Sequence, residues 1–188
     1  SVVNNPEGTL EMWVKNDASA PLTAFMFSDP AHGTNTDRRR WFVTFRANSQ
    51  NRYINIESNN QLAFFRTIDF AYPDNEFFHF VLTSTGHIYI NSQEVSSYYS
   101  AGNVDNFWWS DSPDKSNFSD MSLMKFHYDQ NSSPVYYAGG LDEVAIYNSA
   151  LSADRIQSHY LAATTAIPEP SSILLIIITA IACFLYKH

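Results

Sequence analysis

Asp142 and Glu143 are the carboxylates that the sequence sets closest together, and their spacing limits what they can do. Neighbours on a β-strand point to opposite faces, so these two do not form the pair about 5–5.5 Å apart that a retaining glycosidase needs. Asp142 would share a face with Val144 and Ile146. A carboxylate among apolar neighbours demands a partner. Backbone N–H groups, such as those of the turn near Gly8, are the simplest partners. Asp111, Asp114 and Asp120 cluster in what reads as a loop, either a second cage of oxygens or a solvated stretch. The histidines are His32, His79, His87, His127, His159 and His188, and none shows the i, i+4 or His-x-Cys spacing of a zinc site. His79 reads as a strand histidine hydrogen-bonded inside the fold. There is no Gly-x-Ser-x-Gly nucleophile turn, and Gly139-Gly140 reads as a turn before a strand rather than a phosphate cradle. The aromatic groups Tyr98-Tyr99, Phe107-Trp108-Trp109 and Tyr136-Tyr137 fall at strand ends or in loops. Exposed rings of this kind stack on pyranose faces; buried ones cap a core. Phe107-Trp108-Trp109 has Asn106, Ser110 and Asp111 beside it to hold hydroxyls, so both readings stay open.

The elements that must carry these residues are strands. Between Thr9 and Tyr147 the apolar period is two. Leu10, Met12 and Val14 share one face; Glu11, Trp13 and Lys15 share the other. Trp41 to Phe45, Tyr53 to Ile56, Phe77 to Thr83, His87 to Ile90 and Met121 to Tyr128 alternate likewise and are rich in β-branched and aromatic residues. Asp29-Pro30, Ser58-Asn59-Asn60, Pro73-Asp74-Asn75, Thr85-Gly86, Asn91-Ser92 and Asn131 to Pro134 punctuate them. That rhythm predicts an all-β antiparallel sandwich of the jelly-roll type. One short helix closes it, with Ser152 as N-cap, Asp154 in the first turn, and Ile156 and Tyr160 docking on a sheet.

A chain of 188 residues builds one sizeable domain. Its net charge of −8 repels nucleic acid, and it favours reading Arg38-Arg39-Arg40, the one basic run, as a solvated loop over a basic-aromatic patch with Trp41 that binds acidic polymers. With a single cysteine it forms no internal disulfide. Cys183 sits within Ser171 to Tyr186, an uncharged apolar run read as a transmembrane helix and followed by Lys187-His188. Ile167-Pro168-Glu169-Pro170 precedes that run, and its two prolines hold the chain extended.

Pro168-Glu169-Pro170, an apolar span and a basic end together resemble the PEP-CTERM sorting signal of Gram-negative bacteria. The basic end is shorter here than in that family. The resemblance implies an exosortase as processing partner, an upstream secretion signal beyond Ser1, and export to the envelope or extracellular matrix.

Gly140-Leu141-Asp142-Glu143-Val144, running on to Ala150-Leu151-Ser152, resembles the closing signature of laminin G-like domains of the concanavalin A-like superfamily. Met12 to Lys15 matches that family's early Ala-Trp-Val-Lys strand. Glu76 to Thr83 with Ile88 to Asn91 matches its Trp-His-His-Val strand and Tyr-Val-Asn-Gly hairpin. Phe77 and Phe78 stand where the family has tryptophan and its first histidine, His79 at the second, and Ser92 at the hairpin glycine. The family's opening strand, upstream of Thr9, is mostly missing. The resemblance implies a calcium ion as the one cofactor to expect, with Asp142 as the ligand carried over. Related glucanases carry Glu-x-Asp-x-x-Glu on one strand, and no such string occurs here. The expected layout is a laminin G-like domain over 1–161, a linker over 162–170, and a membrane segment over 171–188. The expected role is non-catalytic binding of extracellular polysaccharide or a surface protein, with Phe107, Trp108, Trp109, Tyr136 and Tyr137 as the contact rings. The rivals are a glycan-active enzyme of the same superfamily and a purely structural matrix protein.

Overall fold

In a computed structural model of the chain, the described residues are 4–16, 22–29, 40–47, 52–58, 63–67, 75–102, 108–111, 120–126, 133–136 and 138–165. The period-two segments form strands. They are β1 (Thr9–Asn16), β2 (Leu22–Ser28), β3 (Arg40–Ala47), β4 (Arg52–Ser58), β5 (Ala63–Thr67), β6 (Phe77–Thr83), β7 (Ile88–Ile90), β8 (Gln93–Val95) and β9 (Ser97–Gly102). β10 (Asp120–Leu123), β11 (Lys125–Phe126), β12 (Val135–Tyr136), β13 (Gly139–Tyr147) and α1 (Ala153–Thr164) complete the chain. A five-stranded sheet has the order β13-β1-β6-β7-β8, a six-stranded sheet the order β10-β2-β3-β4-β5-β9, and β11 pairs with β12 alone. Every pairing is antiparallel.

The alternation decides what lies between the sheets. Leu10, Met12 and Val14 of β1 and Phe78, Phe80 and Leu82 of β6 face Phe25 and Phe27 of β2, Trp41, Val43 and Phe45 of β3, and Ile54 and Ile56 of β4 in one buried cluster. Close packing of this kind is where most of the favourable burial energy resides. Trp108 and Trp109 join it. Their rings stack with centroids 3.7 Å apart, and Trp109 meets Trp41 edge-on at 5.2 Å.

Two turns, at Thr85-Gly86 and Asn91-Ser92, fall where the sequence places them; Pro30, Asn59-Asn60, Pro73-Asp74 and Asn131-Ser132 lie outside the described residues. Gly86 takes a positive φ of 87°. Asn91 (φ 49°) and Ser92 (φ 63°) make the two-residue turn between β7 and β8. Two left-handed residues match the twist of a tight hairpin.

α1 lies on the outer face of the five-stranded sheet. Ser152 caps it as expected, its side chain accepting from Arg155 N–H. Ile156 is its one fully buried residue and packs on Val81 and Tyr89. The helix runs to Thr164, three residues into the stretch read as linker. Among the described residues no helix is long and apolar enough to cross a membrane; residues 166–188, with Pro168, Glu169, Pro170 and the apolar run, lie outside them.

Candidate functional site

Each sheet has one outer face, and the two differ in chemistry. On the five-stranded sheet, alternation turns Glu11 and Trp13 of β1 outward, beneath α1. Glu11 is buried and bonded from three elements. Its Oε1 lies 2.6 Å from His79 Nε2 on β6, and both of its oxygens lie within 3.1 Å of His159 Nδ1 on α1. The Tyr147 hydroxyl on β13 donates to it as well. Burial alone would raise the Glu11 pKa, but the hydrogen bonds from His79, Tyr147 and His159 outweigh burial and bring it down to about 2. Burial, and then the bond to ionised Glu11, push Tyr147 up to about 12. Trp13 lies against His79 at 5.1 Å and stacks on Tyr160 of α1 at 5.9 Å. His79 is therefore a bonded strand histidine, and its partner is a carboxylate.

Beyond Tyr160 the helix stands off the sheet. A cleft of about 490 Å³ opens there, lined by Glu11, Trp13, Glu143, Tyr147, His159 and Ala162 among others. A smaller one of about 260 Å³ adjoins it through Trp13, Glu143 and Ala163.

Asp142 and Glu143 require a correction. Glu11 pairs with Ala145 and Trp13 with Asp142, so β13 carries one residue more than β1 between these points. The extra residue is accommodated as a bulge, with Glu143 in the left-handed region at φ 47°. The pleat breaks, and Asp142 and Glu143 both line the smaller cleft instead of facing opposite sides. Asp142 is exposed, and its Oδ1 accepts from Glu143 N–H, a backbone partner other than the Gly8 turn. Calcium wants several convergent oxygens. Among the described residues no three acidic, histidine or cysteine side chains gather into a metal site.

The aromatic rings also separate. Trp108 is fully buried and Trp109 only 1% exposed, so neither offers a face to a sugar; the core-capping alternative describes both. Their flat rings fill the space between Phe27, Trp41 and the N-terminal segment, where Trp108 Nε1 donates to Asn5 O. Tyr136 is 68% exposed on β12. Phe107 and Tyr137 lie outside the described residues, as does Asp114.

The outer face of the six-stranded sheet holds what sequence reading passed over. Cross-strand register sets Ser122, Met26, Phe42 and Glu57 in one row, Thr44 beside Asn55, and Ser28 beside Arg40. All eight are buried. Arg40 was expected in a solvated loop; it belongs to β3, with its guanidinium 5.3 Å from the Phe42 ring centre. Thr44 Oγ1 donates to Asn55 O at 3.5 Å, while the Asn55 side-chain oxygen is buried with no hydrogen-bond partner among the described residues. The signal was in the sequence. Arg40-x-x-x-Thr44 and Asn55-x-Glu57 are polar at the period that opposes the apolar face.

The family model for the concanavalin A-like lectin/glucanases superfamily, of the laminin G type, matches residues 1–157. The chain belongs to that superfamily. No curated protein sequence is significantly similar to it. Among solved structures, the CBM40 of the Ruminococcus gnavus IT-sialidase bound to α2,3-sialyllactose superposes with a TM-score of 0.63 at 15% identity, covering 85% of each chain. A SAP-like pentraxin from Limulus polyphemus gives 0.55 at 10% identity, covering 87% of this chain and 73% of its own. The leech intramolecular trans-sialidase gives 0.60 at 14% identity, covering 84% of this chain and 23% of its own. At these identities the likeness is one of fold.

Proposed function

We propose that this member of the concanavalin A-like superfamily is a non-catalytic carbohydrate-binding module. The observation that carries the reading is the superposition of the sandwich on the Ruminococcus gnavus CBM40 over 85% of each chain. The CBM40 and sialidase names among the similar folds agree with a glycan ligand.

The enzyme reading draws less support. Glu11, the most buried carboxylate under α1, is ionised at any ordinary pH and engaged by three donors, which suits neither a general acid nor a base poised near neutrality. Export and sorting belong to the same proposal: Pro168-Glu169-Pro170 as the exosortase motif, and residues 171–186 as the membrane segment of an envelope or matrix protein. A mature protein whose mass includes an intact C-terminus through His188 overturns exosortase processing.

The binding test is a glycan array followed by titration of the best polysaccharide. The folded wild-type chain is expected to bind at least one polysaccharide on the array. A folded chain that binds no glycan on the array overturns the binding reading. Release of reducing ends by the wild-type protein overturns the non-catalytic reading.

A further inference from the structure

The seating of α1 is uneven along its length. Its N-terminal end is pinned: Thr9 Oγ1 donates to Ser149 O and accepts from Leu151 N–H, both at 2.9 Å, and Ile156 fills the space over Val81 and Tyr89. Its C-terminal half has no buried residue. That half is held by His159 on Glu11 and by Tyr160 on Trp13, and past them Ala162 and Ala163 border open space instead of filling it.

We propose that α1 is a lid, hinged where Thr9 holds residues 149–151 and latched where His159 meets Glu11, over the cleft it shares with Trp13, Tyr147 and Glu143. A helix held at one end by hydrogen bonds and a single aliphatic side chain, and at the other by a polar key, opens from the keyed end. Apolar burial does not oppose that motion beyond Tyr160, because little is buried there. Opening uncovers one indole face and frees an ionised carboxylate. The device lies on the outer face of the five-stranded sheet and stands or falls apart from the glycan-binding reading.

Hydrogen exchange of the full chain, read by mass spectrometry, tests the lid. In the wild type, amides of residues 157–164 are expected to exchange by a smaller opening than those of β1 and β6. His159→Ala is expected to speed the helical amides by about tenfold, as for one hydrogen bond to a charged group, and leave β1 and β6 unchanged. His159→Gln, which keeps a donor, restores part of the protection. Acrylamide quenching gives a second readout: Trp41, Trp108 and Trp109 are buried, so increased quenching in His159→Ala reports Trp13. Helical amides that exchange in the wild type only with β1 and β6 overturn the lid, even if the alanine variant fails to fold. So does a folded His159→Ala with unchanged exchange.

Discussion

Glu11 Oε2 and His159 Nδ1 lie 3.0 Å apart and join the first strand to the closing helix across 148 residues of sequence. The same carboxylate bonds His79, so one charge ties β1 to β6 and to α1. Charge-assisted hydrogen bonds are shorter and stronger than neutral ones. A buried carboxylate is tolerable only because its lone pairs are so fully used.

The acid behaviour of the fold follows from that arrangement. Glu11 has its pKa lowered from 4.5 to about 2 on folding, so the unfolded chain binds a proton here that the folded chain refuses. Its stabilisation is complete above pH 4.5 and is lost as pH falls towards 2. The gap between those values, at about 1.4 kcal/mol for each pH unit, corresponds to roughly 3 kcal/mol. Urea unfolding between pH 5 and 2 is expected to show that loss, and Glu11→Gln to flatten it at a lower starting stability. A variant with the wild-type acid slope would show that other carboxylates set it.

Tyr147 gives the alkaline counterpart. Its pKa rises from 10 to about 12, so the folded chain keeps a proton that the unfolded chain gives up. The stabilisation is complete below pH 10 and is lost as pH rises towards 12. Tyr147→Phe is expected to remove this part of the alkaline decline, and also to weaken acid resistance, because Glu11 then loses a donor. Thermal melts from pH 9 to 11.5 check the first effect. Identical alkaline slopes in the two proteins would refute it.

The sandwich was legible because its cause is local. Leu10, Met12 and Val14 alternate with Glu11, Trp13 and Lys15, and a sheet with a buried face permits one register for that pattern. Ser152 and Ile156 marked the helix for equally local reasons. What stayed hidden depends on contacts between distant segments. No spacing rule relates Glu11 to His159. Nothing in Gly140-Leu141-Asp142-Glu143-Val144 announces that Glu143 takes φ 47°, a conformation usually left to glycine or asparagine. The tryptophan pair looked like a sugar platform because an exposed and a buried aromatic doublet read alike in sequence. The polar outer face was visible as alternation, but charge beside a basic run pulled Arg40 towards a loop reading.

The β7–β8 turn carries an avoidable strain. Ser92 sits at φ 63°, where a side chain other than glycine or asparagine is disfavoured by about 1–2 kcal/mol. Asn91 at φ 49° tolerates its position, and its side chain accepts from His79 N–H at 2.9 Å. Ser92→Gly is therefore expected to stabilise the domain by about 0.5–1 kcal/mol, the glycine's entropy in the unfolded chain offsetting part of the relief. Asn91→Gly should do the reverse, because it deletes the bond to β6. Denaturant midpoints compared at constant slope decide the matter. A destabilised Ser92→Gly would mean that the serine makes an unrecognised contact.

Trp109 tests whether the aromatic pair serves the core or a ligand. Its ring stacks on Trp108 at 3.7 Å and meets Phe27 and Trp41 edge-on at 5.3 and 5.2 Å. Removing it leaves a cavity beside three rings that are themselves fixed by neighbours, so the site collapses poorly. Trp109→Ala is expected to cost about 3–5 kcal/mol, as large-to-small changes at buried aromatics do. Trp109→Phe keeps an edge-on partner for Trp41 and should cost visibly less. Gly8→Ala probes the same packing from the other side, because a Cβ there would stand 2.8 Å from Trp108 Cζ2 and 2.8 Å from Tyr147 O. All three variants should lower the urea midpoint and, where still folded, keep the wild-type affinity for any glycan. Loss of glycan binding in Trp109→Ala at unchanged stability would put the indole on a ligand and refute its placement in the core.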